Sequence, residues 1–145
     1  QTGFTPTGRG YPDVSFYGYN IPVITVDITG DNKPAGSGGT SASAPMFGGL
    51  LLQLIARLEE SGVCGGREIT LVQLNRFLYK AARTHSAAFI DIVHGNIAWA
   101  ESTVSCGLGY EATEGWDPAS GLGTVNWPEF VQAAIDMAEE FFCDG

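Results

Sequence analysis

The chain has 145 residues, with 7 Lys and Arg against 16 Asp and Glu for a formal net charge of -9. A composition that is 44% hydrophobic and 11% aromatic excludes a disordered tract. The few, dispersed basic residues exclude the basic patch that nucleic acid or an anionic membrane surface requires.

Residues 1–20 are rich in Gly, Pro, Tyr and Thr and read as loop, with a short extended piece over 13–17. Residues 22–28 (PVITVDI) are β-branched and apolar, the pattern of a buried strand. GDNKPAGSGG follows as a turn-rich loop. From Ser43 the sequence predicts a helix ending at Gly62, with Pro45 in its first turn. Its apolar residues Phe47, Leu50, Leu51, Leu54, Ile55 and Leu58 recur at three and four, one broad buried stripe. Gly48 and Gly49 oppose helix formation, which predicts close packing of this helix against a sheet. Gln53 and Arg57 interrupt the apolar run short of the ~18 residues of a membrane span. A second helix is expected over 70–82, capped by Thr70, then a short strand over 88–92. The 34 residues from Val93 to Asn126 contain six glycines and little periodicity, so a metal, a disulfide or another chain should anchor them. Asn126, Pro128 and Glu129 form a capping-box start to a last helix running to about Phe141.

Strand, glycine-rich loop and helix in succession are an α/β pattern of the parallel-sheet type. Two or three strands are too few for a stable open sheet, so the chain reads as part of a domain. The opening QTGFTPTGRG lacks a methionine, a basic cluster and an apolar core, as expected of a processed chain or of a segment of a longer protein. The cysteines, Cys64, Cys106 and Cys143, are odd in number and lack CxxC spacing. They are either idle thiols, or one internal bridge plus a link to another chain in a secreted or lysosomal protein.

The most informative stretch is GSGGTSASAP, residues 36–45. A serine at a loop-to-helix junction either caps the helix or presents its Oγ where backbone N–H groups stabilise negative charge. Ser41 is placed for both roles, with Ser37, Thr40 and Ser43 beside it. No GxxxxGK[ST] or GxSxG is present, which removes the P-loop and α/β-hydrolase readings. His85 and His94 follow the serine and read as polar loop residues.

GTSASAPMFGG, residues 39–49, resembles the nucleophile segment of the sedolisin family of serine-carboxyl peptidases. GRGYPDV (8–14), DIVHGN (91–96) and GWDPASGLGTVN (115–126) are similar to further family segments, in the family's order. The resemblance implies an α/β fold, a subtilisin-like parallel sheet with flanking helices, of which residues 1–145 are the C-terminal portion of the catalytic domain. It implies that Ser41 is the nucleophile of an endopeptidase or tripeptidyl peptidase that cleaves polypeptides through an acyl-enzyme at acidic pH. A carboxylate base suits that pH, where a histidine is already protonated.

The family's glutamate base and its two aspartates lie upstream of the serine and match nothing here. Asp13 reads as structural, and Asp27 and Asp31 as a strand and a turn carboxylate. The resemblance therefore implies a second chain, from the same precursor, that carries the acidic catalytic residues. The other reading is an inactive binding or structural relative.

The resemblance also implies one Ca2+ in the segment 91–117, held by the Asp91 and Asp117 carboxylates and by the carbonyls of Ile92, Thr113 and Gly115. Thr113 stands where the family usually has glycine, and its carbonyl serves provided that its backbone is ordinary. Calcium would anchor the long loop. The expected location is extracellular, lysosomal or vacuolar.

Overall fold

A computed structural model of the protein describes residues 5, 7–98 and 109–144. The chain divides into two compact units, one of Gln1–Ser15 with Leu78–Phe130 and one of Phe16–Phe77 with Val131–Gly145.

In the second unit, β1 (Ile21–Val26) turns back through residues 27–31 into β2 (Asn32–Ser37), pairing Ile21 with Ser37 and Val26 with Asn32. The Asp27 carboxylate organises the turn. Its Oδ1 accepts the Thr29 N–H (2.8 Å), the Thr29 hydroxyl (2.6 Å) and the Asp31 N–H (3.0 Å), and Lys33 Nζ lies 2.5 Å from its Oδ2. The Lys33 bond first, then those from Thr29 and Asp31, hold the Asp27 carboxyl well below its ordinary 3.8. A depressed folded value means that this support is complete above 3.8 and fades only as the pH falls through the lower value. The hairpin turn will therefore stay formed in mild acid. A carboxyl-carbon NMR titration should place Asp27 below the ordinary range, and Lys33→Met should move it up; an unmoved midpoint would count against the pairing.

The parallel sheet with flanking helices expected from the sequence is not found. Among the described residues there are two two-stranded sheets, both antiparallel. β1 forms where its β-branched run predicts, but its partner is the adjacent segment NKPAGS, which its Gly and Pro content marks as loop. Pro34 is tolerated because β2 is an edge strand with one unpaired side.

Helix α1 (Thr40–Ser61) begins at Thr40, three residues before the expected Ser43. Gly62 ends it in the left-handed conformation, as its position predicts. Leu54 and Leu58 are fully buried, and Phe47, Leu50, Leu51 and Ile55 are half-buried beside them. Helix α2 (Leu74–Thr84) starts later than Thr70. The Thr70 N–H donates to the Phe142 carbonyl (2.8 Å) and its hydroxyl accepts the Val72 N–H (3.3 Å), so Thr70 closes a turn ahead of the helix. The last helix is broken at Met137 into α3 (Trp127–Asp136) and α4 (Ala138–Phe141).

The chain's end is laced to residues 64–70. Cys64 and Cys143 form a disulfide, Ile69 bridges Cys143, and Arg67 pairs with Glu139 at 2.5 Å. Closing a loop of 79 residues removes roughly 4–5 kcal/mol of chain entropy from the unfolded state. Cys106 lies outside the described residues. Phe77 and Phe142, both fully buried, meet edge to face at 4.8 Å, with Phe141 at 6.0 Å from Phe77.

In the first unit, β3 (Phe89–Ile90) pairs with β4 (Thr124–Val125). Phe130 is buried between Phe89 and Trp127, at 5.9 and 6.4 Å. The Asn126 side-chain amide donates to the Ala87 carbonyl (3.0 Å), tying the α3 start to the turn before β3. Residues 13–15 run extended beside 121–123, with Leu122 N–H on the Asp13 carbonyl and Ser15 N–H on the Gly123 carbonyl, both at 2.9 Å. A Cβ at Gly121 (φ +64°) would fall 2.5 Å from that Asp13 carbonyl oxygen, so only glycine fits.

Candidate active-site serine and cation loop

Gly39, at φ 119° and ψ 163°, is the N-cap of α1, a conformation open to glycine, and no side chain caps the helix. Its N–H is pinned to the Gly18 carbonyl at 2.7 Å. The Ala42 and Ser43 N–H groups turn back to the Gly39 carbonyl at 3.0 and 3.4 Å, which leaves those of Thr40 and Ser41 without an acceptor among the described residues. The Ser43 hydroxyl donates to the Tyr17 carbonyl at 3.2 Å and holds the entry loop. Ser41, one residue into the helix, is exposed, and its hydroxyl has no hydrogen-bond partner among the described residues. Ser41 is therefore not a cap. The amide-free Pro45, four residues on, also leaves the Ser41 carbonyl without its helical donor.

Asp27 and Asp31 lie at the far end of the hairpin from Ser37, about 20 Å of strand away at ~3.3 Å per residue, and are committed to their turn. His85 shares a hydrogen bond with its neighbour Thr84 (2.9 Å). Asp13 accepts from the Tyr79 hydroxyl (2.7 Å) and from Arg9 (2.5 Å), a structural use. Burial first, then the Asp13 contact, pushes the Tyr79 phenol up.

The predicted cation segment lies wholly in the first unit. Asp117, 2% exposed, accepts the Thr113 N–H on Oδ2 (2.9 Å) and the Ala119 and Ser120 N–H groups on Oδ1 (both 2.8 Å). Burial pushes the Asp117 carboxyl up, but the combined bonds from Thr113, Ser120 and Ala119 outweigh it and leave the group below its ordinary value. Gly115, at φ 83°, donates its N–H to Asp91 Oδ2 at 2.7 Å, which joins two stretches 24 residues apart. Thr113 has an ordinary backbone φ, as its side chain requires.

The carbonyls of Ile92, Thr113 and Gly115 accept no hydrogen bond among the described residues, and Asp91 Oδ1 is likewise open. Among those residues no cluster of three His, Cys, Asp or Glu exists, but an oxygen-seeking cation needs only carboxylates, carbonyls and water. The donor chemistry of the five residues fits such an ion. Trp116 packs over Gly10 and donates its indole N–H to the Pro12 carbonyl (2.9 Å), fixing the loop on its other side. The sequence brings Asp91 and Gly115 to one ion and leaves an internal disulfide open, but the direct Asp91–Gly115 bond and the Cys64–Cys143 pairing have no local signal that would give them.

The chain belongs to the sedolisin family of serine-carboxyl peptidases and corresponds to the C-terminal part of the catalytic domain. It is 34% identical over 134 residues to tripeptidyl-peptidase 1 of Dictyostelium discoideum, covering 92% of this chain and 20% of that protein. It is 35% identical to aorsin of Aspergillus oryzae (90% of this chain, 17% of aorsin) and 36% identical to physarolisin of Physarum polycephalum (86% and 20%). The chain thus spans about a fifth of the length of these curated relatives. No family model matches it.

Proposed function

We propose that this chain supplies the nucleophile of an acid-acting serine-carboxyl peptidase. The exposed, unpartnered Ser41 hydroxyl at the glycine-capped start of α1 carries the reading. Ser41 Oγ attacks the scissile carbonyl and forms a C–O bond. A glutamate on a companion chain of the same precursor takes the Oγ proton and delivers it to the leaving amine. Water then cleaves the ester and restores Ser41. The free N–H groups of Thr40 and Ser41 mark the positive end of the helix, where developing negative charge is stabilised. The disulfide supports an oxidising location, extracellular or lysosomal. Acid quenching of the two-chain material during turnover of a peptide at about pH 4 should leave an acyl group on the peptide containing Ser41. An adduct elsewhere, or none during measurable turnover, overturns the assignment.

The loop residues Asp91, Ile92, Thr113, Gly115 and Asp117 would hold one Ca2+, whose charge neutralises the two carboxylates and anchors the segment between them. Calcium at a hundredfold excess over its Kd should add about 2.7 kcal/mol, raising Tm by roughly 10 °C. Magnesium, which demands a tighter octahedron, should not reproduce this. A thermal melt with and without chelator checks it, and Asp117→Asn should lose the response. An unchanged melt would remove calcium from this reading.

A further inference from the structure

GRGYPDV, residues 8–14, takes no part in the chemistry of Ser41, yet in the first unit it runs as a strap along the cation loop. Trp116 stands between two of the candidate ligands, Gly115 and Asp117, and donates its indole N–H to the Pro12 carbonyl at 2.9 Å. A Cβ at Gly10 would fall 2.6 Å from the Trp116 ring, so the strap lies directly against the indole. Past Asp117, the Leu122 N–H reaches the Asp13 carbonyl and the Ser15 N–H reaches the Gly123 carbonyl, both at 2.9 Å. Asp117 is itself paired through its backbone with Gly121, at 3.3 and 2.8 Å. The strap thus grips the loop on both sides of its buried carboxylate.

The strap has an anchor outside the loop. Asp13 gives its carbonyl to Leu122 and its carboxylate to the Tyr79 hydroxyl of α2 (2.7 Å) and to Arg9 (2.5 Å). A hydroxyl donating to a carboxylate is the stronger, charge-assisted class of hydrogen bond. Burial first, then Asp13, raises the Tyr79 phenol, with the Trp116 indole as an opposing donor, so Tyr79 keeps the proton that it donates.

We propose that Tyr79 and Asp13 are positioning residues for the bound cation, acting through the strap and Trp116 on the ligands Gly115 and Asp117. Tyr79 fixes Asp13, Asp13 fixes the strap, and the strap holds the loop in the arrangement that the ion requires. Groups one step behind the ligands orient them and set metal affinity, typically by 10–100-fold. Coupling of this kind is reciprocal, so the ion must tighten the strap by the same factor as the strap tightens the ion. A merely structural strap behaves differently. Its loss would lower stability equally with and without the ion and leave the ion's affinity unchanged.

The inference rests on the calcium reading above, and its test separates the two. Calcium is titrated by calorimetry into the full chain and into Tyr79→Phe, which keeps the ring and removes only the hydroxyl. The Kd should rise about tenfold in Tyr79→Phe and in Asp13→Ala. Asp13→Asn retains an acceptor for Tyr79 and should recover most of the affinity. Hydrogen exchange on the unsubstituted chain gives a check that needs no variant. Saturating calcium should slow the Ser15 and Leu122 amides about tenfold, the reciprocal of the loss in affinity. If calcium binds the parent and the variants equally, or leaves both amides unchanged, the positioning role is overturned and the calcium site stands. A parent chain that binds no calcium removes the calcium reading and this inference together.

Discussion

Ser41→Ala is expected to lower kcat of the proposed two-chain peptidase by roughly six orders of magnitude, the scale on which removing a serine nucleophile acts in an unrelated serine protease. The substitution is structurally mild. The Ser41 hydroxyl bonds to nothing among the described residues, and alanine is the better helix former, so the melting temperature should hold or rise slightly. Ser43→Ala is the matched control. Its hydroxyl holds the Tyr17 carbonyl at 3.2 Å, so its loss should cost about 1 kcal/mol of stability and leave the chemical step largely intact. Peptide cleavage at about pH 4 and thermal melts of both variants separate the two serines. Equal loss of turnover in both would mean that the segment acts only as a scaffold.

Phe77→Ala will destabilise the protein by about 3–5 kcal/mol. Phe77 is fully buried and sits within 4.8 Å of Phe142 and 6.0 Å of Phe141, so its removal empties the centre of a three-ring cluster. The neighbours cannot readily collapse into the space. Phe142 is fixed by the Thr70 bond to its carbonyl and, one residue on, by the disulfide. Such a loss is a large part of the ~5–15 kcal/mol of a typical domain. Urea denaturation should show a lower midpoint at unchanged slope. Val72→Ala, at a position 89% exposed, should stay within about 0.5 kcal/mol of the parent.

Periodic features were legible in the sequence because they depend on local chemistry. The Gly62 stop forms where the residue pattern places it, β1 covers most of its expected run at Ile21–Val26, and of the six-residue stripe Leu54 and Leu58 are buried. Elements that depend on distant partners were not legible. Thr70 looks like a cap but meets Phe142, 72 positions away, and the helix starts later as a result. β1 is apolar on both faces and so reads as a strand covered twice. It pairs instead with the polar β2, which leaves Ile24 and Val26 in solvent. At the candidate site, the motifs singled out Ser41 and the acidic pair Asp91 and Asp117 as candidates. The Gly115 bond that joins the two loop ends and the Gly39 cap that frees the serine had no sequence signal of their own beyond the glycines.

The Cys64–Cys143 bridge makes a covalent ring of everything between those residues. A single peptide-bond cut anywhere from Gly65 to Phe142 would therefore open the ring without releasing a fragment. Material nicked by a protease, including one acting on a copy of itself, would keep the mass of an intact chain plus one water and run as one band until a thiol is added. Damage to this segment and its processing would thus be invisible on a non-reducing gel, and the piece bearing Ser41 would stay tethered to the helices behind it.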